Sequence, residues 1–427
     1  MLRRIELEPG QELTEELLDR KGGISAEIAC GAADIVDDVR ARGDVALGEY
    51  TSQFDGATLE DTRVSADEIA NAYEQVDDSV IEALRYAAKR IEAFHSHKVP
   101  ESWTVVDDDE VELGQKITPI DRVGVYVPGG TAPYPSSVLM NVMPAKVAGV
   151  DSIAMATPPT SDGTITPAIL VAADIAGVDE IYKMGGAHAI GALAYGTETI
   201  AAVDKIVGPG NAYVAAAKKH VDGDVGIDMI AGPSEVLIIA DESADPRLIA
   251  IDLMAQAEHD MRAATYLVTT DPTILEKVEE NLKDHLKRTS RADITQASLR
   301  DNSVCVVCDS IADAIVVADR IAPEHLEVMT RDADAVAEAI SNAGAIFVGA
   351  WTPESAGDYV AGPNHVLPTQ GTARFSSALS TDDFLKKTSI LRYTRKGLER
   401  DRDAIKNLAG TEGLWAHREA VTMRFDS

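Results

Sequence analysis

The sequence predicts an α/β fold in which two rounds of alternating strands and helices follow a helical N-terminal segment. Three observations carry this. From about Asp121 short apolar runs alternate with helical stretches, and strands separated by helices pair in parallel through right-handed crossovers. Glycine-rich strand-to-helix turns recur three times within the first round. Before Asp121 the period is helical: in Val80–His95, Ile81, Leu84, Ala88 and Ile91 share one face with charges between them.

The elements follow in order. The acidic run Asp107-Asp108-Asp109-Glu110 marks a solvated turn or loop. Val123–Val127 reads as a strand, then come the Pro128-Gly129-Gly130 loop and a helix through Met140–Val147. Ser152–Ala156, Glu180–Met184 and Lys205–Val207 read as strands, with helices at Pro167–Ala176, Ala187–Tyr195 and Asn211–His220. A second round opens at Glu235–Ala240, and Asp245 caps a helix that has Pro246 at its first position. Thr265–Thr269, Val304–Cys308 and Ala345–Val348 continue it as strands, with helices at Thr273–Leu286 and Ile311–Ile321. Two rounds of similar size suggest a duplicated architecture, and the last 45 residues read as a polar helical tail.

Composition narrows the function classes. The 427 residues carry 71 Asp+Glu against 39 Lys+Arg, a net charge of −32, with 45% hydrophobic residues. That apolar share suits a folded chain of two to four domains at roughly 100–200 residues each. The charge repels phosphate backbones, so neither nucleic acid nor an anionic membrane surface is the expected partner. Residues 1–120 hold 28 acids and 12 bases, half of the excess. Such an acid surplus suits a halophilic, salt-rich cytoplasm, or an acidic mesophilic enzyme. The start, MLRRIELEPGQEL, has no apolar run of the signal-peptide kind. The uncharged stretch Val123–Ala145 contains four prolines and three glycines, which a membrane-spanning helix tolerates poorly. Three cysteines make no disulfide framework, which points to a reducing compartment. Cys30, Cys305 and Cys308 are expected to be buried and inert.

Several residues have chemistry to offer. The turns Pro128-Gly129-Gly130, Gly185-Gly186-Ala187 and Gly208-Pro209-Gly210 suit a phosphate or dinucleotide, although none completes GxGxxG and there is no Walker motif. Gln256 and His259 lie three apart on a predicted helix, where imidazole nitrogen and amide oxygen could share a metal. Taken alone, a helix histidine without a partner is more often surface or core than ligand. Glu324-His325 follows Pro323 just after a helix and suits proton shuttling, or is a solvated pair. The segment Gly349–Ser377 reads as a long loop holding Asp358 and His365, and Glu412 and His417 lie near the chain end. His95, His97, His220 and His285 read as solvated.

Seven collinear segments add a sharper signal. RVGVYVPGGTAPYPSSVLMNVMPAKVAGV, KIVGPGNAYVAAAK, IAGPSEVLIIAD, AQAEHD, APEHLE, SAGDYVAGPNHVLPT and GTARFSS together closely resemble histidinol dehydrogenase from about Asp121 to His417. The resemblance implies a cytoplasmic zinc- and NAD-dependent enzyme that oxidises L-histidinol to L-histidine in histidine biosynthesis, through the aldehyde and two hydride transfers. It implies Gln256, His259, Asp358 and His417 as ligands of one zinc per subunit and as substrate contacts. Glu324 and His325 become the proton-transfer pair, also touching substrate, with Ser234, His365 and Glu412 as further substrate contacts. Tyr126, His188 and Asn211 become cofactor contacts.

The implied architecture is two incomplete Rossmann-like domains, 121–235 on the NAD side and 236–380 on the zinc and substrate side. The helical segment 1–120 precedes them, and the tail 381–427 is exchanged in a homodimer whose subunits share active sites. One position departs from the family pattern: His188 stands in GGAHAI where the family has glutamine. A zinc hydrolase on the same scaffold would not need the glycine-rich first round. A catalytically silent paralogue would not need the whole set of ligands and acid–base residues.

Overall fold

The computed structural model describes residues 2–7, 23–97, 99–129 and 133–426. Gly130 of the first glycine turn and residues 8–22 lie outside them. The chain opens with β1 (Arg3–Glu6), followed by helices Ala26–Arg42, Asp44–Tyr50, Ala66–Gln75 and Asp78–Ser96. A hairpin of β2 (Trp103–Val106) and β3 (Glu112–Pro119) precedes the first α/β round, β4 (Arg122–Tyr126), β5 (Ser152–Thr157), β6 (Glu180–Lys183), β7 (Lys205–Val207) and β8 (Gly226–Ile227). The second round is β9 (Glu235–Ala240), β10 (Ala264–Thr269), β11 (Ser303–Val307), β12 (His325–Met329) and β13 (Ala345–Val348), and β14 (Leu385–Arg392) opens the tail.

Each round forms its own parallel sheet. The first has the order β6-β5-β4-β7-β8 and the second β1-β11-β10-β9-β12-β13. Numbered within each round, both follow 3-2-1-4-5, so the duplication absent from the letters is present in the topology. Helices cover both faces, which is why β9 and β12 are buried along their whole length. Helix Pro135–Ala148 is buried on nearly every side, with Ile81, Leu84, Ala88 and Ile91 in the same apolar core. The N-terminal helix Ala26–Arg42 lays Ala32, Val36 and Val39 on the helices at 186–195 and 212–221. Gly191 permits that approach, because a Cβ there would lie 3.3 Å from the Val36 Cα.

The structure departs from the sequence reading where pairing partners are distant. Arg3–Glu6 is a strand, joined in parallel to β11 at the edge of the second sheet. The first 110 residues are therefore not wholly helical, since four residues are too short for a period to show. β14 pairs antiparallel with β3, so the tail is strand before it is helix. The acidic turn at 107–110 is held rather than merely solvated: Arg400 reaches Asp107 at 2.7 Å and Asp109 at 3.0 Å, and Lys396 reaches Asp109 at 2.5 Å. The sequence reading lacks β12 because His325 and Glu327 interrupt its apolar run. Cys30 is exposed, since its helix turns it outward, while Cys305 and Cys308 are buried. His95 is buried, its ring edge-on to Phe94, and burial lowers its pKa. Among the described residues no helix is long and apolar enough to cross a membrane.

Candidate active site

Glu324 and His325 are fixed by the two strands beside them. Helix Ile311–Ile321 ends on Ala322 in the left-handed region (φ 49°), and Pro323 prevents its continuation. The chain then enters β12 between β9 and β13. Glu324 Oε2 accepts from the Glu235 amide at 2.9 Å, and His325 Nδ1 lies 3.0 Å from the Glu235 carbonyl. On the other side Ala345 N donates to the Glu324 carbonyl at 3.0 Å. Gly344 is required there, because a Cβ would stand 2.5 Å from that carbonyl oxygen. Both side chains are buried, so neither belongs to a solvated pair.

Burial decides their protonation. It raises Glu324 well above the usual carboxylate value, opposed by hydrogen bonds from the Glu235 amide and the Ser234 hydroxyl. Burial lowers His325 to about 3, with the charges of His259 and His365 adding to the effect. Near neutral pH the imidazole is therefore a free base, and the carboxyl beside it resists ionisation.

Three further groups face this pair. His259, Glu354 and Asp358 offer ligand atoms that all lie within 4.8 Å of one another. Helix Pro246–Ala257 stops before His259, so that residue sits in the turn just past the helix end rather than on its face. Arg291 orders the turn by donating to the carbonyls of Glu258 at 2.8 Å and His259 at 3.3 Å. With its amide nitrogen turned inward, buried Gln256 donates to the Glu235 carbonyl and to Glu354 Oε1, each at 3.2 Å. His365 donates from Nδ1 to the Asp358 carbonyl at 3.0 Å, and its Nε2 lies 3.3 Å from Ser137 Oγ on helix Pro135–Ala148. That contact joins the first α/β unit to the cluster.

Glu354 escaped the sequence reading. It sits on a short helix, Glu354–Tyr359, inside the stretch read as loop, one helical turn before Asp358. Its amide donates to Glu327 Oε1 at 2.8 Å, and Glu327 in turn hydrogen-bonds Asp252. Burial raises Glu327 to about 8 and Asp252 and Asp358 to about 6. The i, i+4 spacing of Glu354 and Asp358 was the available signal. The burial that gives it meaning was not.

The glycine turns form a second cluster, at the carboxyl ends of the first sheet. Tyr126 ends β4, and its hydroxyl accepts from the Gly186 amide at 3.1 Å. A Cβ on Gly208 (φ 115°) would fall 2.0 Å from the Tyr126 carbonyl oxygen, so glycine is obligatory where β4 and β7 diverge. Under this loop Lys218 pairs with Asp228, which also accepts from the Gly208 amide at 2.8 Å. His188 is buried, whereas Asn211 is exposed and caps its helix by accepting from Tyr213 at 3.0 Å and Val214 at 3.1 Å. Only the amide NH2 of Asn211 is left for a ligand. Phosphate-binding crevices form where strand order reverses at the carboxyl ends. In the second sheet that position is filled by Asp241, which accepts from Ser243 at 2.9 Å and Arg331 at 2.8 Å. A carboxylate there disfavours a phosphate.

This geometry has close relatives. A family model described as histidinol dehydrogenase matches residues 19–425. The chain belongs to the histidinol dehydrogenase family. It is 51% identical to histidinol dehydrogenase of Clostridium acetobutylicum over 416 residues, covering 97% of this chain and 96% of that one. It is 53% identical to that of Agrobacterium fabrum, covering 96% and 95%. The crystal structure of histidinol dehydrogenase from Elizabethkingia anophelis superposes with a TM-score of 0.94 at 40% identity, over 99% of this chain and 98% of that one. Histidinol dehydrogenase is an oxidoreductase, and the mixed α/β fold with parallel sheets is the fold of that crystal structure.

Of the residues that the resemblance implied, Gln256, His259, Glu324, His325, Asp358 and His365 come together, with Ser234 at their edge. Tyr126 and His188 meet at the glycine turns. Glu412 and His417 do not join either group. Both are exposed at the end of the tail, and among the described residues the His417 side chain has no hydrogen bond or ion pair.

Proposed function

We propose that this chain oxidises L-histidinol to L-histidine through L-histidinal, using NAD and one zinc ion, as a step of histidine biosynthesis. The observation that carries the reading is the buried Glu324–His325 pair set against the ligand atoms of His259, Glu354 and Asp358.

The donor set fits zinc. The buried Nε2 of His325 has no hydrogen-bond partner and lies 3.9 Å from Asp358 Oδ1, and the surrounding imidazole and carboxylate atoms are zinc-ligand types. Gln256, His259 and Asp358 would hold the ion, with His417 of a second copy completing the set. The crevice at the glycine turns fits a dinucleotide, because both nitrogens of buried His188 lack hydrogen-bond partners there. When bound, zinc supplies a fixed point for the substrate's imidazole and amine, and nicotinamide supplies the hydride acceptor for both oxidations.

The chain's own residues do the rest. His325, held neutral by burial, accepts the proton of the substrate alcohol. As water adds to the aldehyde, Glu324 in its ionised form takes the water's proton and His325 returns its own to the carbonyl oxygen, so that His325 can accept again as the hydrate is oxidised. His365 and Ser137 order the side nearest the first unit, and Ser234 together with Glu412 of a second copy would complete the substrate contacts. No cysteine nucleophile enters: burial pushes the thiols of Cys305 and Cys308 up to about 12 and about 11, and Cys30 lies on an N-terminal helix.

The two sheets with matching strand order support incomplete Rossmann-like domains at 121–235 and 236–380, between the segment 1–120 and the tail 381–427. The tail also supports exchange in a homodimer. Val106, Leu391, Leu408 and Trp415 are all more than 60% exposed on the hairpin and tail, an apolar surface of the kind a second copy covers. The charge of −32 supports a salt-rich cytoplasm. The test is NADH absorbance with L-histidinol and zinc, in low and in multimolar salt. Two NADH per histidine are expected, and folded protein that is silent in both salts overturns the reading.

A further inference from the structure

A second buried polar pair lies apart from the acid–base cluster, where the N-terminal helical segment crosses the glycine turns. Helix Asp44–Tyr50 runs on into a single π-helical turn, Thr51–Asp55. Such a turn re-aims the side chains that follow it and recurs at functional sites. Here it delivers Asp55 to the start of helix Gly186–Tyr195: a Cβ on Gly185 would lie 3.2 Å from Asp55 Oδ1. Asp55 Oδ2 is buried without a hydrogen bond and lies 3.5 Å from His188 Nε2. His188 is 1% exposed, and neither ring nitrogen has a hydrogen-bond partner. Its other nitrogen, Nδ1, faces the glycine turn, 3.4 Å from where a Gly186 Cβ would stand. Tyr50 and Phe54, stacked at 5.7 Å, wall the ring at 6.1 and 6.0 Å.

Two buried groups left this way are costly unless something pays for them. A carboxylate only accepts, and a neutral imidazole donates from one nitrogen and accepts at the other. With Asp55 facing Nε2, the proton belongs on Nε2 and the lone pair of Nδ1 points at the helix start. We propose that Asp55 is a positioning residue of the cofactor pocket: it fixes the tautomer of His188, so that Nδ1 accepts a hydrogen bond from a hydroxyl or carboxamide N–H of the dinucleotide rather than binding its phosphate. This rests on the NAD reading above and adds a residue from outside both α/β units. The charge of Asp55 is also felt at the Tyr126 hydroxyl, which burial raises to about 12.

The test is NADH binding by fluorescence titration, without substrate, on wild type and on Asp55→Ala, His188→Ala and the double variant. Loss of one oriented hydrogen bond weakens binding by about tenfold. Asp55→Ala and His188→Ala should each show that loss, and the double variant no more than either. Asp55→Asn, which still offers an oxygen to Nε2–H, should stay within about threefold of wild type. In turnover, Asp55→Ala should raise the KM for NAD and leave kcat nearly unchanged. Wild-type affinity in Asp55→Ala, or losses that multiply in the double variant, would overturn the inference alone. Wild-type protein that binds no NADH overturns the cofactor reading and the inference with it. Should Asp55→Ala fail to fold by circular dichroism, Asp55→Ser, too short to reach His188, replaces it under the same criteria.

Discussion

Replacing Glu327 by glutamine should flatten the pH dependence of stability of the metal-free protein. Glu327 is 1% exposed and shares a proton-rich contact with Asp252, and burial raises its pKa to about 8. In the unfolded chain a glutamate titrates near 4.5. Between these values the folded state holds a proton that the unfolded state has lost, so raising the pH favours unfolding. The buried histidines act oppositely. His325 and His365 are lowered to about 3 and about 4, so the unfolded state holds more protons below about 6.5, and stability climbs with pH up to that point.

From pH 6.5 to 8 the last titration of the unfolded histidines and the raised carboxyls of buried Glu324 and Glu354 act in wild type and variant alike, so the difference between the two isolates Glu327. Over about 1.5 pH units, at about 1.4 kcal/mol per unit, Glu327 alone removes about 2 kcal/mol. Urea unfolding with chelator at both ends of the window reads this directly. From pH 6.5 to 8 wild type should lose about 2 kcal/mol more than Glu327→Gln. An equal change in wild type and variant across the window refutes the reasoning.

Gly208→Ala, whose Cβ would meet the Tyr126 carbonyl at 2.0 Å, should destabilise by about 3 kcal/mol and raise the KM for NAD, as thermal melts and kinetics would show. Phe384→Ala, at a fully buried ring beneath Lys205, should cost about 3–5 kcal/mol in chemical denaturation. His259→Ala should weaken zinc retention by more than tenfold in a chelator competition. Mixing inactive His417→Ala and Glu324→Gln subunits should restore about a quarter of wild-type activity, from hybrid dimers with one intact site. Activity that stays at the level of the parents argues against tail exchange.

The chain fixes much of this locally. Asp245 caps its helix by accepting from Arg247 N at 2.9 Å with Pro246 behind it, and the strands Lys205–Val207, Glu235–Ala240 and Ala345–Val348 fall where their apolar runs stand. These follow from neighbouring residues, whose periodicity and capping act within one turn. What needed the tertiary structure is long-range. β1 finds β11 some 300 residues away, and Asp55 meets His188 across a unit boundary. Glu354 becomes part of the cluster only because the helix carrying it packs over β12. Spacing could suggest that Glu324 and His325 act together. Only the fold buries them, and burial is what lifts the one pKa and depresses the other.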